Sequence, residues 1–237
     1  IDLEGCSLKA MMFEKYPSIS PYTYCANNPM IMIDPTGEDI ELTFFGENTV
    51  KLLNQIINNG LGGQFEVYYT KGKNGGSLLK LKATKDGGDL SKMTDLQKAF
   101  YNELSGMINN HSVTARIDVV WGKKEICIGH YQKNTIDIAD INQFDDLGKG
   151  LATKQGKLIH EFSEQFGKAK LGLWKGDIMG RDYQHQIAII KENKVNGSER
   201  KDKSYSRGVY IQEFSNKNGK QTYEYNTKNG IIEVKRY

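Results

Sequence analysis

Apolar residues recur at helical spacing in several stretches of the chain. Leucine, phenylalanine and isoleucine stand four residues apart between positions 91 and 110, which predicts an amphipathic helix there. Three further helices are predicted at 48–59, 154–168 and 182–195. Asn196-Gly197 follows the last of these, and glycine after a helix is a common end signal. The pattern therefore predicts about four helices.

Other stretches alternate apolar and polar residues, as half-buried strands do. These predicted strands lie at 41–45, 64–70, 77–84, 113–121, 125–131 and 134–139, with more in the tail from 205 to 237. Gly75-Gly76, Asn218-Gly219 and Asn229-Gly230 are hairpin signals. Strand runs mixed with helices predict an α+β fold with a mostly antiparallel sheet. The charged run from Lys194 to Lys203 predicts a surface loop.

Proline divides the chain into two parts. All four prolines of the 237 residues lie between Pro17 and Pro35, and none follows. Average usage is about 5%, so two hundred proline-free residues after a proline-dense start indicate segments of different origin. We therefore predict a first segment at 1–38 and a separate domain at 39–237.

Residues 13–38 read FEKYPSISPYTYCANNPMIMIDPTGE. This segment resembles the end of the core of RHS or YD-repeat proteins, whose closing pattern is SPY.Y..NNP....DP.G. The positions that match this pattern are Ser20, Pro21, Tyr22, Tyr24, Asn27, Asn28, Pro29, Asp34, Pro35 and Gly37. In that family the repeats form a large β shell, and a variable toxin domain follows DPxG.

The resemblance implies a role for each segment. Residues 1–38 would be the end of the RHS core, and residues 39–237 a toxin that is secreted or delivered from the cell surface and acts inside a competing cell. A cognate immunity protein would be its partner. Family members that cleave themselves usually carry a hydrophobic residue after DPxG, and Glu38 stands there in this chain. Self-cleavage is therefore not implied.

Charge, hydropathy and cysteine content exclude several classes. Mean hydropathy is -0.58, and no apolar run approaches the roughly 18 residues of a membrane span, so no membrane partner is expected. The 32 basic and 29 acidic residues give a net charge of +3, which does not indicate a nucleic-acid groove. The three cysteines have no CxxC spacing, so neither a disulfide framework nor a zinc ribbon is indicated.

The predicted helix at 154–168 contains an HExxE motif, formed by His160, Glu161 and Glu164. Residues four apart share a helix face, so His160 and Glu164 can bind one metal ion while Glu161 accepts a proton from a water that the ion activates. The apolar residues of this helix fall on its other side: Leu158, Ile159, Phe162 and Phe166. The same pair is also compatible with a surface salt bridge.

The predicted helix at 182–195 supplies a missing nitrogen ligand. His185 and Glu192 share one face of it with Ala188, whose small side chain leaves room for another helix. His185 would complete a set of two histidines and one glutamate around zinc. Glu192 would be either a fourth ligand or the partner of a ligating imidazole.

This pattern resembles the HExxH helix of zincin metallopeptidases, with Glu164 in place of the second histidine. The resemblance implies a zincin-like fold and a zinc-dependent hydrolase acting on a protein or peptide, with Glu161 as general base. It also implies that the preceding strand, at 135–138, is an edge strand that pairs with extended substrate. Tyr183 and Arg181 are candidate donors to the oxyanion.

Two other functions remain open from the sequence. A metal-free toxin of the nuclease type would use His160 or His185 with Glu161 or Glu192 as an acid/base pair. A non-catalytic binding module at the end of a repeat shell would need only the moderate basic charge and the hairpins. Chelator sensitivity and survival of cells that produce the domain separate the three.

Overall fold

The computed structural model describes residues 39–72, 74–110, 112–206, 209–228 and 231–237. The segment that resembles an RHS core, residues 1–38, lies outside the described residues. Its assignment and the domain boundary at residue 38 therefore stay predictions.

Five α-helices occur in the described part of the chain. They are α1 (Glu47–Gly60), α2 (Asp95–Ile108), α3 (Ile138–Ile141), α4 (Lys154–Lys170) and α5 (Arg181–Asn196). The four long ones are the four that apolar spacing predicts. The short helix α3 replaces the end of the strand predicted at 134–139, because the side chain of Asp137 accepts a hydrogen bond from the backbone N–H of Ala139 and caps a helical turn.

The described residues contain ten strands, which form two sheets. The first sheet contains β1 (Ile40–Phe44), β2 (Phe65–Lys71), β3 (Ser77–Ala83), β4 (Ala115–Val120), β5 (Gly129–His130) and β6 (Thr135–Asp137) in the order β2-β3-β1-β4-β6-β5. The second contains β7 (Glu199–Ser206), β8 (Val209–Asn216), β9 (Gly219–Lys228) and β10 (Ile231–Arg236) in the order β10-β9-β8-β7. The predicted α+β class is confirmed.

The two sheets differ in strand direction. The second is a meander of antiparallel neighbours, as the hairpin signals predict. In the first, β1 runs parallel to β4 and β4 parallel to β6, while the other neighbours are antiparallel. The first sheet is therefore mixed. Strand β4 runs parallel to β1 because the connection through α1, β2, β3 and α2 returns the chain to the end of the sheet at which β1 begins.

Helix α4 is the centre of the domain. Every residue from Gln155 to Lys168 is buried, so the side that carries His160 and Glu164 is enclosed and the alternative of a salt bridge on a solvated surface does not apply. Thr153 starts the helix, because its Oγ1 accepts the backbone N–H of Gly156 at 3.0 Å.

Helix α5 packs closely along α4. A side chain at Gly156 would overlap Asn196, and one at Gly167 would overlap Gln184, so the two glycines permit the close approach. Ala188 is fully buried in the same contact, in the place where the sequence leaves room for a second helix. This packing brings polar residues of both helices together.

The second sheet closes the core and positions charged residues. Phe214 and Tyr223 belong to the buried core together with residues of α4. Strand β7 includes half of the run predicted to be a surface loop, and that prediction is wrong from Glu199 onward. Gly197, at a φ of 63°, ends α5 as predicted and turns the chain into β7. Among the described helices, none is both long and apolar enough to cross a membrane.

Candidate metal centre

Three predicted ligands meet between α4 and α5. Oε1 of Glu164 lies 3.3 Å from Nε2 of His160 and 2.5 Å from Nδ1 of His185. One ligand atom from each residue lies within 4.8 Å of the other two. Two imidazole nitrogens and one carboxylate oxygen at this spacing could hold a metal ion. The structure thus brings together residues that stand 21 positions apart, Glu164 and His185.

Glu192 lies on the other side of the His160 ring. Its Oε2 is 3.0 Å from Nδ1 of His160, and this contact directs Nε2 of the same ring toward Glu164. Of the two roles predicted for Glu192, the geometry corresponds to the partner of an imidazole and not to the fourth ligand. Carboxylates in this position fix the tautomer and orientation of metal-binding histidines.

Buried cations hold Glu192 in place. Nζ of Lys157 lies 2.8 Å from its Oε1, and Nη1 of Arg200 lies 2.7 Å from its Oε2. Lys157 also donates to Oε1 of Gln212 at 2.8 Å. Both cations are nearly inaccessible to solvent, so this group is a closed ionic network beneath His160.

Glu161, the predicted general base, is buried next to the ligands. A methyl group at Gly129 of the edge strand β5 would overlap its carboxylate, so only glycine leaves space for Glu161 there. No hydrogen-bond donor approaches this carboxylate in the described part of the chain. Burial, and then the charge of Glu164, raises the pKa of Glu161 to about 7.

The ligand residues have shifted pKa values as well. Burial would raise the pKa of Glu164, but its hydrogen bonds with His160 and His185 outweigh burial and lower the pKa to about 2. Asp202, 3.8 Å from Nε2 of His185, and then Glu164 raise the pKa of His185 to about 9. The pKa of His160 is also raised, because its contacts with Glu164 and Glu192 outweigh burial.

The charges around the three ligands cancel only while both imidazoles are protonated, which their raised pKa values favour. Metal binding requires neutral imidazoles, and in that state the cluster has four negative groups and two positive ones, a net charge of 2 − 4 = −2. The negative groups are Glu161, Glu164, Glu192 and Asp202, and the positive ones are Lys157 and Arg200. Since buried charges need compensation, a divalent cation fits this site.

The predicted oxyanion donors lie elsewhere. Tyr183 is 67% exposed on the outside of α5, and the Arg181 side chain is about half exposed beside Asp182. Neither has a hydrogen bond to His160, Glu164 or His185 among the described residues. Their predicted role therefore has no contact in support of it.

Three charged residues of the site escape prediction from the sequence: Lys157, Arg200 and Asp202. No pattern in the sequence of α4 indicates that Lys157 is buried, and lysines are rarely buried. Arg200 and Asp202 alternate with exposed Glu199 and Lys201 along β7, so the inward face of the strand is as polar as the outward face. The available signal was the period of two in side-chain direction, without an apolar residue to indicate which face is buried.

Comparison of the chain with known proteins identifies no family. No family model, no curated protein and no solved structure matches the chain. The resemblances to RHS proteins and to zincins remain predictions from the sequence, and the functional proposal depends on the geometry of the site.

Proposed function

We propose that residues 39–237 form a zinc-dependent hydrolase domain that acts as the toxin of an RHS-type protein. The convergence of His160, Glu164 and His185 from two helices carries this proposal. A single helix would offer only an i, i+4 pair, which is common on protein surfaces. A third ligand from a separate helix, in a cluster that has excess negative charge once its imidazoles are neutral, is what a metal site requires.

The donor set fits zinc. Two histidines and one glutamate are the protein ligands of one class of catalytic zinc sites, in which the fourth position is open. Glu192 orients His160 from behind, as the outer partners of zinc ligands do. When bound, zinc supplies a Lewis acid that polarises a substrate carbonyl and makes water more acidic.

Glu161 would move the proton in this reaction. It is adjacent in sequence to one ligand and has no partner of its own in the described part of the chain, so its carboxylate is free to accept a proton from the attacking water. A pKa of about 7 suits a group that takes up a proton and later returns it to the leaving amine. The enclosed position beside Gly129 limits competing solvent.

The toxin role rests on the sequence segment before the domain. We infer that an RHS shell, ending near Gly37, carries the domain out of the producing cell and that a protein or peptide of the target cell is its substrate. A cognate immunity protein would protect the producer. The toxin role is tested by producing the chain in cells with and without a candidate immunity protein and comparing their growth.

Measurement of zinc binding tests the proposed metal site. Purified chain should bind about one zinc ion, as measured by mass spectrometry and calorimetry, and Glu164→Gln should weaken binding by about tenfold or more, by loss of a charged ligand. Glu66→Gln, a change of the same kind at an exposed carboxylate of β2, should bind as the wild type does. Absence of zinc binding by the wild-type chain would contradict the proposal.

A metal-free acid/base toxin is the second candidate. The pairing of His185 with Glu164 at 2.5 Å favours it, because this contact is a hydrogen bond that needs no ion. Loss of RNA or DNA integrity in intoxicated cells, unchanged by a chelator in the purified reaction, would support this candidate over the zinc hydrolase. Normal growth of cells that produce the chain would instead support a non-catalytic binding module.

A further inference from the structure

Asp140, in the short helix α3, is a buried carboxylate outside the ligand cluster. Its side chain is 0% exposed. Its Oδ1 accepts the backbone N–H of Ile232 in β10 at 2.7 Å, and its Oδ2 accepts the backbone N–H of Ile128 at 3.0 Å. One carboxylate therefore connects the second sheet to the segment that leads into the edge strand β5.

The two hydrogen bonds do not fully compensate for the burial of Asp140. No cation contacts its carboxylate in the described part of the chain. Burial raises the pKa of Asp140 to about 7, although both hydrogen bonds act in the opposite direction. Because an ionised carboxylate without a cation is costly in a protein interior, stability alone gives no reason for an aspartate at this position.

Ile128, one of the two residues that Asp140 binds, has a backbone conformation that isoleucine rarely adopts. Its φ is 66°, in the left-handed region, where a β-branched residue is strained. Across it, the N–H of Gly129 donates to the carbonyl oxygen of Cys127 at 2.7 Å. Residues 127–129 therefore form a γ-turn with a positive central φ, which is the rare and strained form of this turn.

Hydrogen bonds hold this strained turn on both sides of Ile128. Its N–H donates to Asp140, and its carbonyl oxygen accepts the N–H of Asp137 at 2.7 Å. The bond from Asp137 is a backbone contact that almost any residue could make, whereas the bond to Asp140 depends on that side chain. Strained residues persist only where their surroundings fix them, and Asp140 supplies the side-chain part of this support.

The turn lies directly against Glu161, the candidate general base. Between the backbone of Gly129 and the Glu161 carboxylate there is no room even for a methyl group. If Ile128 relaxed to an ordinary φ, Gly129 would move with it, because the two residues are adjacent. The carboxylate of Glu161 would then be open to solvent.

We propose that Asp140 is a positioning residue of the candidate site, which holds the turn at 127–129 against Glu161 and so controls solvent access to that carboxylate. The consequence for catalysis rests on the proposed function. The coupling between Asp140 and the exposure of Glu161 does not, since it needs neither metal nor substrate.

Chemical labelling of carboxylates tests this coupling. The purified chain is treated in EDTA with a carbodiimide and glycinamide, and peptide mass spectrometry gives the labelling rate of Glu161 relative to that of exposed Glu66. Asp140→Ala should raise this relative rate by about tenfold or more, through local opening of the turn. Val67→Ala, a buried change in β2 at the opposite edge of the same sheet, should label as the wild type does.

Ile128→Gly separates positioning from a general loss of structure. Glycine adopts a φ of 66° without strain, so the turn no longer depends on Asp140. In the Ile128→Gly background, Asp140→Ala should therefore change the labelling of Glu161 by less than about twofold. A merely structural role would give the same increase in both backgrounds.

Unchanged labelling of Glu161 in Asp140→Ala overturns the proposal, as does an equal increase in both backgrounds. If Ile128→Gly does not fold, hydrogen exchange of the Gly129 amide, which closes the turn, replaces that comparison. It should be faster in Asp140→Ala than in Val67→Ala, and equal exchange in the two variants overturns the proposal.

The catalytic consequence has its own measurement. With zinc and a peptide that the wild type cleaves, Asp140→Ala should lower kcat by about tenfold or more, because the base is displaced, and should leave zinc affinity unchanged. An unchanged kcat with faster labelling would overturn the role of Asp140 in the reaction. A wild-type chain that cleaves no peptide would contradict the proposed function instead, and labelling would still decide whether Asp140 positions the turn.

Discussion

The polar contacts between α4 and α5 fall into two halves that differ in how completely their charges are paired. In the closed half, Lys157, Glu192 and Arg200 are at most 6% exposed, and each carboxylate oxygen of Glu192 lies within 2.8 Å of a cation. In the open half, Glu161 has no donor among the described residues, and 26% of the His185 side chain is exposed. The same contact region therefore holds one fully paired cluster and one incompletely paired cluster.

His160 connects the two halves. Its Nδ1 contacts Glu192 in the closed half, and its Nε2 contacts Glu164 in the open half. The closed half thus fixes the ring, and the open half receives the nitrogen that can bind an ion. The difference teaches that buried charge alone does not identify a functional site. A functional site is indicated where an incompletely paired cluster lies next to a rigid, fully paired one.

Removal of a charge from the closed half should have the largest effect on stability. Glu192→Gln keeps the shape of the side chain but leaves Lys157 and Arg200 without their buried anion, so the free energy of unfolding should fall by about 3–5 kcal/mol. Urea denaturation measures it. Glu199→Gln changes an exposed carboxylate a few residues later and should stay within about 0.5 kcal/mol of the wild type. Equal stability of both variants would remove the distinction between the halves.

The same chemical change in the open half should act on the reaction instead. Glu161→Gln removes a carboxylate without a partner that is repelled by Glu164, so the free energy of unfolding should stay unchanged or rise. The rate of peptide hydrolysis should fall by about 100-fold or more, equivalent to about 2.7 kcal/mol. Mass spectrometry of a peptide mixture follows it. A stable Glu161→Gln variant with full activity would exclude Glu161 as general base.

The features that the sequence could predict are those that depend on local spacing. The long helices follow from apolar spacing, and the ligand trio follows from i, i+4 geometry on α4 together with a histidine on α5. These signals are local, because a helix places residues on faces in a fixed way. The α+β class followed from the order of the same elements.

The rest depends on contacts between distant segments. Lys157 and Arg200 are buried only because Glu192 lies between them, and no local pattern reports a partner 35 residues away in the chain, as Glu192 is from Lys157. The parallel pairing of β1 with β4 likewise follows from the path of the chain through α1 and α2. The polar alternation of β7 gave no indication of which face is inside.

Zinc should stabilise the chain through the open half. At free zinc ten times above Kd the free energy of unfolding should rise by about 1.4 kcal/mol, because the ion binds only the folded state. His185→Ala should abolish this gain in a thermal or urea assay. The matched control is His130→Ala, at the edge strand β5 and outside the ligand cluster, where the gain should persist. A gain of equal size in both variants would place the ion elsewhere.

Asp202 tests where the boundary between the halves lies. It contacts Arg200 of the closed half at 2.8 Å and His185 of the open half at 3.8 Å, and 47% of its side chain is exposed. Because ion pairs of half-exposed groups are weak, Asp202→Asn should lower the free energy of unfolding by only about 0.5–1 kcal/mol.

The effect of Asp202→Asn on zinc affinity should be larger than its effect on stability, since the carboxylate faces a ring nitrogen of a ligand. Loss of such a partner typically weakens metal binding by about tenfold or more. Calorimetry measures this change, and Asp182→Asn, at a fully exposed carboxylate of α5, is the control. A stability loss near that of Glu192→Gln, with zinc affinity unchanged, would instead assign Asp202 to the closed half. The closed half would then extend to the solvent edge of the cluster.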